Sequence, residues 1–187
     1  VFLFTATKGV PPVGSGVQDV RMAQYSANRD LLRAYAAQAR RAHFSGLFCQ
    51  ISDPVAHLAR GVFLDRQGNE AGQMDFSGLL PEQVQGYGLG VMEARARYYA
   101  GRRAIDFRTG AVFGPHGQDL IVANAPGERY DDALSRSLTA DTVTANLAVR
   151  ELGFKPYIAP GLSSAAISIL RTITGQWHCG AVPMDGA

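Results

Sequence analysis

The sequence predicts an α/β protein in which part of a parallel sheet is followed by a mixed α+β domain. Over the first 90 residues, short apolar runs alternate with segments of helical periodicity. That alternation is typical of parallel strands joined by crossover helices. Beyond it, short strands, long amphipathic helices and a glycine-bounded loop take over. We therefore expect one domain over residues 1–89 and a second over residues 90–187.

Composition excludes several classes of protein. Of the 187 residues, 47% are hydrophobic and 18% are charged, as is usual for a globular protein. No apolar run is long enough for a membrane span, and a net charge of +2 gives no argument for a nucleic-acid partner. The two cysteines, Cys49 and Cys179, form no disulfide framework, which favours the cytoplasm. Because an apolar strand-like run opens the chain at Val1, we expect a segment of a longer protein.

The first domain contains three predicted strands and two predicted helices. The strands, at 1–5, 47–51 and 84–89, are short, apolar and followed by turn residues. The first helix, over about 18–42, carries an apolar stripe of the kind that faces a core. The stripe consists of Val20, Ala23, Ala27, Leu31 and Tyr35.

The second predicted helix starts at the Ser52-Asp53-Pro54-Val55 segment. Asp is a preferred N-cap residue, and Pro is favoured at the first helical position. We therefore expect the Asp53 carboxylate to cap a helix that begins at Pro54.

The second domain begins with a predicted helix at 91–100 and two short strands at 111–113 and 120–122. A long helix over 132–152, a helix from Gly161 and a last strand at 177–182 follow. The long helix places apolar or small side chains near one face, namely Leu134, Leu138, Thr142 and Leu147.

Three parts of the sequence contain residues that could carry chemistry. His116 lies in a tight Gly-Pro-His-Gly loop between two strands, where it is either a catalytic acid/base or a surface histidine. Arg95 and Arg97 follow on one predicted helix, and they form either an ion-paired face or a fork that holds a carboxylate. Cys179 beside His178 has no matching metal-ligand spacing, so a structural role is favoured there.

Five segments in order resemble the lactate/malate dehydrogenase family over nearly the whole chain. They are Phe2-Leu3-Phe4-Thr5-Ala6 with Gly9-Val10-Pro11, Ile51-Ser52-Asp53-Pro54-Val55, Gly86-Tyr87-Gly88 through Met92-Glu93-Ala94-Arg95-Ala96-Arg97, Gly114-Pro115-His116-Gly117-Gln118, and Tyr157-Ile158-Ala159-Pro160-Gly161. The resemblance implies the C-terminal part of a Rossmann-type sheet, followed by the α+β substrate domain of that fold.

The resemblance also implies a function, an NAD-dependent oxidoreductase acting on a small 2-oxo or 2-hydroxy acid. Arg95 would hold the substrate carboxylate, and His116 would exchange a proton with the C2 oxygen. Thr5, Ala6 and Asp53 would contact the cofactor. A homodimer or homotetramer is implied as well, with neither a nucleic acid nor a membrane as partner.

The sequence departs from the family at several site positions. Met92 stands where the family has the aspartate that orients the histidine, and Glu93 is turned about 100° away by one helical position. Pro12 and Val17 stand near the family's loop arginines, and Asp53 replaces its turn asparagine. The family's glycine-rich phosphate loop would lie upstream, so NAD binding is expected of the full-length protein. These departures predict altered or weakened activity, or else a non-catalytic relative that acts as a binding or scaffold protein.

Overall fold

The computed structural model describes residues 2–5, 21–65, 67–69, 71–153 and 159–183. Contacts between Cα atoms divide the chain into two compact units. The first unit contains the described residues up to Tyr87 together with those from Ala181 onward, and the second is Gly88–Gly180. The division predicted from the sequence instead keeps residues 90–187 together.

The first unit is built on a three-stranded parallel sheet. Its elements are β1 (Phe2–Thr5), α1 (Tyr25–Arg41), β2 (Leu47–Gln50), α2 (Val55–Leu64) and β3 (Val84–Gly86). The strand order is β1-β2-β3, and Phe4 pairs with Cys49 while Phe48 pairs with Val84. Because all the pairings are parallel, the predicted α/β class is confirmed.

Helix α1 buries a different face from the one the sequence predicts. Leu31 and Tyr35 are 41% and 40% exposed, while Leu32 and Ala36 are almost completely buried. The predicted stripe is therefore wrong by one helical position. The buried face also carries Asn28, whose side-chain amide donates to the Asp53 carbonyl at 2.8 Å. A hydrogen bond to a residue far along the chain allows this polar side chain to be buried. Hydropathy does not predict such a bond.

Asp53 does not cap helix α2, so that prediction is also wrong. The peptide bond between Asp53 and Pro54 is cis, and Pro54 is extended (φ −78°, ψ 118°). The helix starts at Val55, one residue later than predicted, with the extended Pro54 at the N-cap and no side-chain cap. The Pro54 carbonyl accepts the first helical hydrogen bond, from the Leu58 amide at 3.0 Å.

The predicted last strand at 177–182 reduces to one bridging residue. Ala181 exchanges two backbone hydrogen bonds with Gly86, at 2.8 and 2.9 Å. A Cβ at Gly86 would lie 3.0 Å from Val55 Cγ1 and 3.1 Å from Ala181 Cβ. A glycine at this position therefore permits the close approach that returns the chain to the first unit.

The second unit is mixed α+β, as predicted. Its elements are α3 (Leu89–Arg102), β4 (Ala111–Phe113), β5 (Ile121–Ala123), α4 (Asp132–Glu151) and α5 (Ala159–Ile173). The two strands pair antiparallel, with Val112 opposite Val122. Met92 and Ala96 of α3 and Leu138 of α4 are fully buried in one core cluster with Val122. Within the described ranges, no helix combines the length and apolar composition needed to cross a membrane.

One buried hydroxyl in this core gives a stability prediction. Thr142 is fully buried, and its Oγ1 has no hydrogen-bond partner among the described residues. Because Thr142→Val removes a desolvated hydroxyl at nearly constant shape, we expect it to stabilise the protein by about 1 kcal/mol. Urea unfolding measures the change.

Thr139 is the matched control on the same helix. Its hydroxyl accepts from the Val122 amide at 2.9 Å and donates to the Ser135 carbonyl at 2.8 Å. We expect Thr139→Val to destabilise by about 1–3 kcal/mol, because it leaves that amide without its acceptor. Equal changes in both variants would contradict the assignment.

Candidate functional site

The loop between β4 and β5 carries His116. It leaves β4 at Gly114, whose φ of +86° is in the region that favours glycine. A Cβ at Gly114 would lie 2.8 Å from the Asp119 carbonyl oxygen, across the loop. A side chain at this position would therefore push the two limbs of the loop apart. The backbone conformation at Gly114 thus determines where His116 is presented.

The half-buried His116 ring contacts the start of helix α3. Its Nδ1 lies 2.8 Å from the carbonyl oxygen of Gly88, the N-cap residue of that helix. A carbonyl oxygen can only accept, so Nδ1 carries the hydrogen. This contact therefore orients the ring relative to the first turn of helix α3.

Met92 and Arg95 contact each other one turn further along helix α3. Met92 is completely buried, and its Sδ lies 3.7 Å from Arg95 Nη1. The position at which the resemblance implies an aspartate thus carries an apolar thioether. Arg95 as a whole is partly buried.

Glu93 does not supply the missing carboxylate to His116. Its Oε1 accepts from Arg97 Nε at 2.9 Å and from Arg97 Nη2 at 2.7 Å. The Arg97 guanidinium also lies 5.5 Å from the Phe107 ring centroid and donates to the Phe107 carbonyl. Arg97 is therefore ion-paired with Glu93, while Arg95 stays the residue that the sequence predicts for substrate binding.

Cys179 and His178 do not form a nucleophilic pair. Burial and the adjacent Glu93 carboxylate raise the pKa of the Cys179 thiol to about 12. The thiol therefore stays protonated near neutral pH, and the thiolate is the nucleophilic form. The ring of His178 lies 2.9 Å from Thr172 Oγ1 through Nε2 and 3.3 Å from the Cys179 carbonyl through Nδ1. The structural role favoured from the sequence agrees with these contacts.

The predicted cofactor contacts lie at the carboxyl ends of β1 and β2. Thr5 is the last residue of β1 and pairs with Gln50, the last residue of β2. Asp53 follows three residues after Gln50, whereas Ala6 lies outside the described residues. Ligands of open α/β sheets bind at this edge. Thr5 and Asp53 therefore lie at the edge where a dinucleotide would be expected.

Gln50 and Ser52 belong to the same edge, although the sequence pattern did not predict a role for them. Gln50 is completely buried, and its Nε2 donates to the carbonyls of Ser52 and Val55 at 2.9 and 3.0 Å. Its Oε1 accepts from the Ser52 amide. Ser52 Oγ is buried with no hydrogen-bond partner among the described residues. A glutamine that ends an apolar strand was the signal in the sequence.

Comparison with known proteins gives the fold. No protein-family model matches the sequence, and no curated protein matches it significantly. Among solved structures, a malate dehydrogenase from Archaeoglobus fulgidus in complex with NADH is 13% identical, with a TM-score of 0.65. The match covers 95% of this chain and 57% of that one.

Two lactate dehydrogenases give similar matches. One, from a Medee basin deep-sea metagenome library, is 19% identical with a TM-score of 0.64, covering 93% of this chain and 55% of that one. The other, the minor L-lactate dehydrogenase of Enterococcus mundtii, is 20% identical with a TM-score of 0.60, covering 89% and 54%. The chain thus spans just over half the length of these structures, and it has the fold of malate and lactate dehydrogenases.

Proposed function

We propose that this chain is part of an NAD-dependent dehydrogenase that interconverts a 2-hydroxy acid and a 2-oxo acid. The observation that carries the proposal is the 2.8 Å contact of His116 Nδ1 with the Gly88 carbonyl, by which the β4–β5 loop holds the ring against the N-terminus of helix α3. A positioned histidine can exchange a proton with a hydroxyl group, which is what oxidation of that group requires. The shared fold with malate and lactate dehydrogenases gives independent support.

The first unit offers a fitting environment for one end of NAD. Thr5, Ala6 and Asp53 are the proposed contacts, and the buried Ser52 hydroxyl, which has no partner among the described residues, supplies a further polar group. Orphaned polar atoms of this kind are expected where a ligand completes the hydrogen bonding. When bound, NAD would supply the hydride acceptor or donor. In this proposal, residues 1–89 form part of the dinucleotide-binding domain.

The second unit would hold the substrate. The Arg95 guanidinium would bind the substrate carboxylate through two parallel hydrogen bonds, and His116 Nε2 would exchange a proton with the C2 oxygen. Two contacts on so small a molecule would fix its orientation. Residues 90–187 form the substrate domain in this proposal, and the protein is cytoplasmic.

The test is NADH binding by the full-length protein, followed by turnover with a panel of 2-oxo and 2-hydroxy acids. Binding with turnover would support the dehydrogenase. Binding without turnover would favour a non-catalytic relative with a binding role. Met92, which stands in place of a carboxylate, would then be the expected reason for the lost activity. Absence of NADH binding would contradict both.

Arg95 provides a sharper test through a matched pair of substitutions. We expect Arg95→Lys to raise KM for the acid about tenfold or more, because a lysine ammonium cannot form the two-pronged contact. Arg102→Lys, on the exposed end of the same helix, should leave KM unchanged. Steady-state kinetics over a range of acid concentrations measures both. An equal KM in the two variants would contradict the assignment of Arg95.

We also propose that the protein self-associates as a homodimer or homotetramer. The outer face of helix α5 supports this, because Ile167, Leu170 and Ile173 are 51–61% exposed there. Exposed apolar surface of this kind is typical of interfaces. Sedimentation of the intact protein should show more than one copy, and Leu170→Lys should shift it towards the monomer. Sedimentation as a monomer at high protein concentration would contradict the proposal.

A further inference from the structure

We infer that Gln50 is a positioning residue, which holds the turn over residues 52–55 in the conformation that binds a dinucleotide. The inference rests on the proposed function for the identity of that ligand. Gln50 ends the central strand β2 and is completely buried, in a run that is otherwise apolar. Burying a carboxamide costs free energy unless its polar atoms are hydrogen-bonded, so the partners of this side chain indicate its role.

The Gln50 carboxamide contacts the backbone of the turn through three hydrogen bonds. Its Nε2 donates to the carbonyl oxygens of Ser52 and Val55, at 2.9 and 3.0 Å, and its Oε1 accepts from the Ser52 amide. If the carboxamide were turned round, its NH₂ group would face another donor and its oxygen would face two acceptors. The three bonds therefore fix the orientation of the carboxamide, and through it the backbone of the turn.

The main chain of Gln50 is held by both neighbouring strands. It pairs with Thr5 of β1 and with Gly86 of β3, and its carbonyl accepts from the Tyr87 amide at 2.9 Å. Core strands are among the parts of a protein that open least often. Gln50 thus connects the turn to the most firmly held strand of the first unit.

A second buried carboxamide holds the same turn from helix α1. Asn28 Nδ2 donates to the Asp53 carbonyl at 2.8 Å, so the turn is bonded to a helix as well as to a strand. A loop that becomes ordered only when its ligand binds weakens the binding by the cost of that ordering. A turn that is held beforehand avoids this cost.

The turn lies where a ligand is expected. It follows the carboxyl end of a parallel strand, and open α/β sheets bind their ligands at that edge. The Ser52 hydroxyl is buried there, and it has no hydrogen-bond partner among the described residues. Buried polar atoms usually have a partner, and a ligand at this edge would supply one. Under the proposed function, that ligand is NADH.

Gln83 provides a matched control at the opposite edge of the sheet. Its Nε2 donates to the carbonyls of Phe44 and Gly46, at 2.9 Å each, and its Oε1 accepts from the Leu80 amide at 2.9 Å. These are the same kinds of bonds as those of Gln50, but Gln83 precedes β3 and therefore lies at the amino ends of the strands. Gln50→Met and Gln83→Met thus remove equivalent bonds from opposite edges of one sheet.

The experiment measures NADH affinity and urea unfolding of both variants in the intact protein. Ordering the backbone of one residue corresponds to about a five- to thirtyfold change in an equilibrium constant. We therefore expect Gln50→Met to raise the Kd for NADH by about that factor, whereas Gln83→Met should keep the wild-type Kd. Both variants should lose stability. Equal Kd values in the two variants would overturn the inference, because a glutamine with a purely structural role would not affect NADH binding selectively.

Hydrogen exchange of the wild-type protein tests the turn without any variant. Because the Ser52 amide donates to Gln50, we expect it to be protected to about the same degree as the amides of β2 before NADH is added. Rapid exchange of the Ser52 amide would mean that the turn is not held beforehand, and it would overturn the inference. This measurement decides the inference if Gln50→Met fails to fold.

The readouts separate this inference from the proposed function. Absence of NADH binding by the wild type would contradict the dehydrogenase, and exchange at Ser52 that is faster in Gln50→Met than in Gln83→Met would still support the holding role of Gln50. NADH binding with equal Kd values in the two variants would do the reverse.

Discussion

Reduction of pyruvate or oxaloacetate by the intact protein is expected to be about three to five orders of magnitude slower than in relatives that carry a carboxylate behind the histidine. Met92 occupies that position, and Glu93 is held by Arg97. The second loss is at Pro12 and Val17, which the resemblance places near the positions of loop arginines. Each missing charge-assisted contact removes a few kcal/mol of transition-state stabilisation, and 1.36 kcal/mol corresponds to a factor of ten in rate.

A steady-state assay of NADH oxidation with both acids, and with bulkier 2-oxo acids, measures this expectation. Rates typical of lactate or malate dehydrogenases on pyruvate or oxaloacetate would contradict it. They would mean that a residue such as Lys8 or Arg21 supplies the missing charge. Turnover restricted to a larger acid would indicate altered specificity.

Replacing His116 with glutamine is expected to lower the rate of 2-hydroxy acid oxidation by about 10²–10⁴-fold. A glutamine amide can still donate to the Gly88 carbonyl, so the loop should keep its position. It has no basic nitrogen for the hydroxyl proton, which is why kcat should fall while NADH affinity stays constant. Stopped-flow measurement of NADH formation separates these two quantities.

His57→Gln is the control for this substitution. His57 is exposed on helix α2 and has no part in the proposed chemistry, so its variant should oxidise the acid at the wild-type rate. Equal losses in the two variants would point to a general effect of histidine replacement. An unchanged rate in His116→Gln would exclude His116 as the base.

The sequence predicts the class of the fold because strand-like and helical segments alternate clearly along its first 90 residues. Short apolar runs that alternate with helical segments allow few arrangements other than parallel strands with crossover helices, and all three strands do pair in parallel. The buried face of α1 could not be predicted from the hydropathy pattern, because that face carries the polar residue Asn28. That residue is satisfied by a carbonyl 25 positions away, and hydropathy sees only its polarity.

The candidate site likewise contains one feature that the sequence predicts and others that it does not. The tight loop marks His116 as unusual, because glycine and proline around a histidine are visible in the sequence. The described contact of His116 is with a backbone carbonyl, which every residue possesses, so no residue type in the sequence points to Gly88. The Asp53 cap failed for a related reason, as the helix start depends on the ψ angle of Pro54. Backbone partners and backbone angles are the features that residue identity specifies least.

The pairing of Ala181 with Gly86 bears on how the protein is made. The second unit is continuous in sequence, whereas the first is completed only when Ala181 has left the ribosome. At ordinary rates of synthesis, β3 waits about 5–20 s for this partner. During that interval the edge of β3 at Gly86 lacks the two backbone hydrogen bonds to Ala181, and exposed strand edges of this kind pair with other chains. Translation speed and chaperone supply should therefore influence the yield of soluble protein. The yield would then depend on how soon the bridge between Ala181 and Gly86 forms.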